Sequence, residues 1–98
     1  MKNLHVSELL DVYGNFLSEK QKNITEHYYY EDLSLSEIAE NEGITRQAVN
    51  DLIKRTESQL KAFEEKCGYC EKFARLKELA ADKNGSEWEE IVSIIEEL

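Results

Sequence analysis

The stretch that decides the fold is residues 35–49, which read LSEIAENEGITRQAV. It places a small residue, Ala39, four positions before Gly43 and ten positions before the branched apolar Val49. Two short helices that cross closely need a small residue at the crossing and a glycine at the sharp turn. They also need a branched apolar residue that locks the second helix onto the first. The other apolar residues near this crossing are Ile38, Ile44, Leu52 and Ile53. The spacing therefore predicts a helix-turn-helix over residues 34–55.

Capping residues mark where the helices begin. Three capping boxes are Ser18 with Gln21, Ser34 with Glu37, and Ser86 with Glu89. Thr45 is the cap of the helix that starts at Arg46. A first helix comes before them, with an apolar stripe of Val6, Leu9, Leu10, Tyr13, Phe16 and Leu17. The last helix carries Trp88, Ile91, Val92, Ile95 and Leu98. Asn84-Gly85 is the stop between the last two helices.

A long fourth helix follows the turn and runs from Arg46 to at least Lys66. Its inward positions recur at spacings of four and three, which is a heptad register. They are Val49, Ile53, Thr56, Leu60, Phe63, Cys67 and Cys70. Gly68 is expected to break or kink the helix, because glycine is a poor helix former. This register favours a homodimer in which two copies join through the fourth helix and the C-terminal helices.

The composition is typical of an all-α protein of one small domain with an extension. The chain has 98 residues, no proline and 34% charged residues. We expect a helical domain over residues 1–66, which contains the helix-turn-helix, and a C-terminal helical extension over 67–98. No apolar run approaches the roughly 18–20 residues that span a bilayer, and the N-terminus does not resemble a signal peptide. The expected compartment is the cytoplasm, with no membrane partner.

Charge is distributed unevenly along the chain. The net charge is −9, which disfavours non-specific binding to phosphates. Residues 1–42 carry 3 basic and 9 acidic groups, and residues 71–98 carry 4 basic and 8 acidic groups. Residues 43–70 carry 5 basic and 4 acidic groups, so this stretch is the least acidic. It contains most of the helix-turn-helix.

The candidate site residues lie on the second helix of the motif. That helix is expected to expose Arg46, Gln47, Asn50 and Lys54 on one side, together with Asp51. In helix-turn-helix proteins the N-terminal part of this helix enters the major groove, where Arg pairs with guanine and Gln or Asn with adenine. Arg55 and Lys61 are better placed for phosphates. The alternative is that these residues are the solvated face of a helix, which Asp51 and the acidic flanks favour.

Four segments together resemble the YlxM family of small bacterial proteins to which DNA binding is attributed. They are LSEKQ at 17–21, YYYEDLSLSEIA at 28–39, ITRQAV at 44–49 and IKRTE at 53–57. The resemblance covers about residues 6–75. It implies a helical, often dimeric protein similar to region 4 of sigma-70-type factors, with a regulatory role in the signal recognition particle pathway. Cys67-Gly68-Tyr69-Cys70 departs from the family pattern.

Three other kinds of site have weaker support in the sequence. Cys67 and Cys70 form a C-x-x-C, which is compatible with core packing, redox chemistry or half of a zinc site. Core packing is favoured, because both occupy heptad positions and only His5 and His27 could add nitrogen ligands. Among the tyrosines at 28–30, one or two are expected in the core rather than stacked on bases. No catalytic constellation is recognisable, so we expect no enzyme activity, cofactor, metal or small-molecule substrate.

Two hypotheses follow. The first is a DNA-binding regulatory protein that docks on a duplex. The second is an adaptor that contacts the signal recognition particle RNA or its GTPase and uses the helix-turn-helix only as a scaffold. The net charge of −9 favours the second, because two copies would repel a polyanion more strongly.

Overall fold

The helices follow one another in the order that caps and stripes predict. The structure, a computed structural model, describes residues 4–81 and 86–97, and every regular element in these ranges is helical. The elements are α1 (Leu4–Tyr13), a 3-10 turn (Gly14–Phe16), α2 (Glu19–Tyr29), α3 (Leu35–Glu42), α4 (Arg46–Cys67), α5 (Tyr69–Ala81) and α6 (Ser86–Glu97). The all-α fold class is confirmed. None of the described helices combines the length and the apolar composition that crossing a membrane requires.

Three of the predicted caps are formed. The Ser18 hydroxyl accepts the backbone N–H of Gln21 at 3.2 Å, and the Gln21 side chain accepts the N–H of Ser18. Ser34 and Glu37 make the same reciprocal pair. The Thr45 hydroxyl accepts the N–H of Ala48 at 3.0 Å and starts α4. Helix α6 begins at Ser86, but Asn84-Gly85 and the side chains of Ser86 and Trp88 lie outside the described residues.

The core has two clusters, and α4 contributes to both. The first core cluster consists of Val6, Leu9, Leu10, Tyr13, Leu17 and Leu60. The second core cluster consists of Ile24, Ile38, Ala39, Val49, Leu52 and Ile53. Helix α4 therefore packs on α1 at its C-terminal half and on α2 and α3 at its N-terminal half. The result is an elongated molecule with principal extents of 52 × 25 × 24 Å.

Phe16 does not join the first core cluster, and its predicted place in the apolar stripe is wrong. Its side chain is 69% exposed, because the α-helix ends at Tyr13 and Phe16 lies in the 3-10 turn. A 3-10 turn has about three residues per turn, so Phe16 stays on the side of Tyr13 but lies past the end of α1, where the other helices leave it largely uncovered. Its ring still lies 5.9 Å from that of Phe63.

The heptad stripe of α4 is used in packing within the chain. Val49, Ile53, Thr56 and Leu60 are all buried against the other helices of the same molecule. The polar member of the stripe, Thr56, donates its hydroxyl to the carbonyl of Leu52 at 2.8 Å and accepts the Gln21 amide at 3.3 Å. These four residues are therefore not available to a second copy. The homodimer prediction gains no support from them and stays a prediction.

Gly68 ends α4, as predicted. It adopts the left-handed conformation, with φ of 62°, and its N–H donates to the carbonyl of Glu64 at 2.7 Å. Helix α5 begins at the next residue and contacts α1, and α6 packs along α5. Exposed apolar side chains are present on this C-terminal pair, at Leu76, Leu79 and Ile91.

Candidate nucleic-acid interface

The close crossing of α3 and α4 is present as the spacing predicts. Ala39 is 8% exposed and Val49 is fully buried, and both belong to the second core cluster. Gly43 between the helices has φ of 68°, and the N–H of Ile44 donates to the carbonyl of Ala39 at 3.1 Å. The turn is therefore closed by the backbone, and α4 begins immediately beyond it.

The first turns of α4 present the predicted site residues outward. Arg46 and Gln47 are exposed, and Asn50 is half-buried one turn later. These three residues line one shallow depression together with Leu35, the first residue of α3. The positive end of the α4 dipole lies at the same place, which favours an approaching phosphate.

Leu35 was not predicted as part of this surface. It is half-buried and touches the second core cluster, yet it also lines the depression beside Arg46. Its position directly after the Ser34 cap fixes it at the start of α3, but nothing in the sequence indicates that this end of α3 lies beside Arg46. An apolar side chain there offers a contact surface that hydrogen-bonding residues alone do not.

Asp51 is the acidic residue of this face. Its carboxylate accepts a 2.9 Å hydrogen bond from the side-chain amide of Gln47, one turn earlier. The bond holds the amide nitrogen of Gln47 against the helix and leaves its oxygen free to accept. It also places a negative charge among the residues that were predicted to meet a duplex.

The remaining predicted residues continue along α4. Lys54, Arg55 and Lys61 are exposed. Lys54 and Lys61 are seven residues apart, so they share one side of the helix, and Arg55 is adjacent to that side. The six predicted site residues therefore lie on a single helix, with Arg46, Gln47 and Asn50 at its N-terminus and Lys54, Arg55 and Lys61 farther along.

The three consecutive tyrosines belong mostly to the packing. Tyr28 and Tyr29 are half-buried against the second core cluster, with ring centroids 5.0 Å apart. The Tyr29 hydroxyl donates to the Glu57 carboxylate, and burial together with that bond raises the pKa of Tyr29. Tyr30 is more exposed and donates to the carboxylate of Asp11. The prediction that one or two of these rings lie in the core is confirmed.

The two cysteines pack on the first core cluster. Both are free thiols of intermediate exposure. Burial, followed by the charges of Glu64, Glu8 and Asp11, raises the pKa of the Cys70 thiol, which disfavours the reactive thiolate. The described residues contain no group of three or more potential metal ligands. The core-packing interpretation of the C-x-x-C is confirmed.

The chain is similar in sequence to the known proteins of one family. Residues 1–97 match the family model UPF0122, described as "Putative helix-turn-helix protein, YlxM / p13 like". The UPF0122 protein of Desulforamulus reducens is 53% identical over 76 residues, which are 76% of this chain and 65% of that relative. The UPF0122 proteins of Halalkalibacterium halodurans and Bacillus cereus strain AH187 are 41% and 40% identical over 99% of this chain. These alignments cover 94% and 96% of the two relatives. The similarity therefore includes the helix-turn-helix and the helices on both sides of it.

Proposed function

This chain belongs to the UPF0122 family of YlxM / p13-like helix-turn-helix proteins, as its motifs indicated, and on that basis we propose that it is a DNA-binding regulatory protein of the bacterial cytoplasm. The N-terminal half of α4 docks in the major groove of a duplex. Helix α3 crosses behind it and fixes its orientation. Docking on a duplex makes and breaks no covalent bond, so this function involves no enzymatic step.

One observation supports the proposal above all others. Arg46, Gln47 and Asn50 line a common depression at the N-terminus of α4, while Ala39 and Val49 directly behind them are buried. This is the arrangement in which a recognition helix is held rigidly by its partner and offers its polar side outward. Rigid support matters because base-edge contacts depend on hydrogen-bond geometry.

The roles of the side chains follow from their chemistry. Arg46 is suited to the two acceptors of guanine, and Gln47 and Asn50 to the donor and acceptor of adenine. Lys54, Arg55 and Lys61, farther along α4, are suited to phosphates, which position the protein without reading sequence. Leu35 offers apolar contact at the edge of the same surface.

A salt-titrated binding assay tests the proposal. We would compare the wild type with the double variant Arg46→Ala and Lys54→Ala on a pool of duplex DNA. The control is Lys20→Ala with Arg75→Ala, which removes the same charge from exposed positions on α2 and α5. We expect the first variant to lose at least about tenfold in affinity and about one unit of salt slope, because Lys54 is its phosphate contact, and the control to change little. Equal binding by all three proteins, or no binding by any, contradicts groove docking.

A homodimer is part of the proposal, built on the C-terminal helices. Leu76 and Leu79 are 47% and 54% exposed on α5, and Ile91 is 41% exposed on α6. Exposed apolar side chains grouped on one pair of helices are typical of a protein interface. Sedimentation of the wild type and of the double variant Leu76→Glu, Leu79→Glu measures whether the chain forms a dimer through these residues. A wild type that remains monomeric at micromolar concentration contradicts the dimer.

The alternative function is an adaptor within the signal recognition particle pathway that uses the motif as a scaffold. Asp51 favours it, because a carboxylate on the outward face of α4 opposes a polyanion. The same assay discriminates between the two functions when the particle's RNA and its GTPase replace the duplex. Binding to either that survives the Arg46→Ala and Lys54→Ala changes, with no binding to DNA, favours the adaptor.

A further inference from the structure

A second surface lies at the other end of the molecule from Arg46. A groove of about 360 Å³ opens between α1 and the α5–α6 pair. Its lining includes early residues of α5, such as Phe73, and late residues of α6, such as Ile95. Helix α6 therefore runs back along α5, and its C-terminal end comes next to α1. None of the six predicted nucleic-acid residues lines this groove.

The floor of the groove is apolar. Val12 from α1, Phe73 from α5 and Ile95 from α6 are each half-buried and face the same space. Ala74 also lines it and is exposed, so a small side chain leaves room there. A partly covered floor supplied by three helices can accept apolar side chains from outside without displacing the core.

The rim of the groove is acidic. Glu8, Asp11 and Glu96 are exposed around it, and among the described lining residues Lys77 is the one basic side chain. The negative end of the α6 dipole lies at the same edge, because Glu96 is in the last turn of that helix. The charges of Glu8 and Asp11 also contribute, after burial and Glu64, to raising the pKa of Cys70 at the floor. Their field therefore reaches the inside of the groove.

We propose that this groove binds a basic amphipathic helix of a partner protein, which places apolar side chains on Val12, Phe73 and Ile95 and basic side chains against Glu8, Asp11 and Glu96. Charge complementarity selects the partner, because an acidic rim attracts lysine or arginine and repels nucleic acid. The walls favour a helix as the bound form, since apolar side chains at helical spacing fit between helices. An extended strand would need a free sheet edge, and the described ranges contain no strand.

This inference goes beyond the proposed function and does not depend on it. It gives the groove a task of its own, whereas the proposed function uses α3 and α4 for DNA and the exposed side chains of Leu76, Leu79 and Ile91, which do not line the groove, for the dimer. The two surfaces can therefore be tested separately, and either one can fail while the other stands.

The probe is a synthetic amphipathic peptide of about four helical turns, with leucines at helical spacing and lysines elsewhere. Two control peptides accompany it: one with glutamates in place of the lysines, and one with the same composition in an order that destroys the helical spacing. Binding is measured by fluorescence anisotropy, and the site is located by backbone NMR shifts on the full-length protein.

Two protein variants test the groove and a third is the matched control. Ala74→Trp fills it from an exposed position, and Glu8→Lys with Glu96→Lys reverses the rim. Glu40→Lys with Glu42→Lys makes the same charge change on exposed positions of α3. We expect the groove variants to weaken binding of the lysine peptide by about tenfold or more, and the α3 variant to change it by less than about threefold. Thermal unfolding checks that each variant is folded.

The supporting result is binding by the lysine helix alone, with NMR shifts around Val12 and Ile95. The proposal is overturned by absence of binding at about millimolar peptide, by equal binding of the scrambled peptide, or by an equal loss in the α3 variant. It is also overturned if the wild type self-associates and the Ala74→Trp variant does not, since the occupant of the groove is then a second copy of this chain.

Discussion

The hydroxyl of Tyr13 donates a 2.5 Å hydrogen bond to the carboxylate of Glu64, fifty-one residues later in the chain. The same hydroxyl accepts the backbone N–H of Tyr69, and the same carboxylate accepts the N–H groups of Cys70 and Glu71. Burial, helped by Glu64, raises the pKa of Tyr13 to about 12. The first N–H groups of α5 are therefore capped by side chains from α1 and α4, which join three helices at one point.

Glu64→Gln should weaken this junction. A carboxylate accepts all three bonds, whereas an amide brings a donor group to a place where only acceptors are needed. We expect a loss of about 1–3 kcal/mol in the free energy of unfolding, measured with urea. Glu65→Gln, the exposed neighbour, is the control and should change stability by less than about 0.5 kcal/mol. Equal effects of the two changes would mean that the Glu64 bonds contribute nothing specific.

The stabilities of the wild type and of Glu64→Gln should also respond differently to acid. Burial raises the pKa of Glu64, but the bonds from Tyr13, Cys70 and Glu71 outweigh it, so the pKa in the folded state is lowered. A lowered folded-state pKa contributes stability above the unfolded-state pKa, and that contribution is lost as the pH falls through the folded-state value. The stability advantage of the wild type over Glu64→Gln should therefore be full near pH 7 and shrink below about pH 4. An advantage that stays constant down to pH 3 would contradict this.

Replacing two glycines by alanine should distinguish a turn that needs a left-handed conformation from one that does not. Gly43→Ala forces a side chain into a left-handed conformation with φ of 68°, which costs about 1 kcal/mol even though the space is open. Gly14→Ala is the control, because a methyl group there would meet Leu10 at an ordinary distance of 3.5 Å. We expect it to be nearly neutral. Chemical denaturation measures both, and a Gly14→Ala variant as destabilised as Gly43→Ala would contradict the assignment.

Leu60 and Phe16, two large apolar residues in or beside the first core cluster, should respond very differently to truncation. Leu60 is fully buried in the first core cluster, so Leu60→Ala should cost about 2–5 kcal/mol. Phe16 is mostly exposed and retains only ring contacts, so Phe16→Ala should cost about 1 kcal/mol or less. Comparable losses of stability in the two variants, measured by thermal unfolding, would contradict the exposed position of Phe16 and support its predicted place in the apolar stripe.

Asp51→Asn should strengthen duplex binding if the proposed function is correct. The change removes a negative charge from the outward face of α4 and keeps a side chain that can accept the Gln47 amide. We expect affinity to rise about threefold to tenfold at low salt, with less gain at high salt. Glu65→Gln removes an equal charge farther along α4 and should have a smaller effect. Weaker binding by Asp51→Asn would mean that the carboxylate itself accepts a hydrogen bond from a base.

The helix-turn-helix could be predicted because its constraints are local. Ala39, Gly43, Thr45 and Val49 each have one physical reason to be where they are, and all lie within eleven residues. Capping boxes are equally local, which is why the starts of α2, α3 and α4 agree with expectation. The outward placement of Arg46 and Gln47 then follows from helical periodicity once Val49 is known to face inward.

What could not be predicted depends on contacts distant in sequence. The spacing of Phe16 is helical, and only the early end of α1 reveals that its ring points outward. The heptad stripe of α4 looks the same whether α1 or a second copy covers it, so the sequence could not decide between them. The junction of Tyr13 with Glu64 and the groove beneath Ile95 both require knowing how α5 and α6 return to α1.

The length of α4 determines how the two ends of the molecule influence each other. Its 22 residues span about 33 Å, and the part from Arg46 to the Glu64 junction spans about 27 Å. At physiological ionic strength electrostatic effects fade over about 8 Å, so carboxylates around the groove exert little repulsion on phosphates held at Arg46. A partner bound at one end of α4 would therefore leave the electrostatic potential at the other end unaltered. Communication between the ends would have to be mechanical, through a tilt or rotation of α4 as a rigid rod.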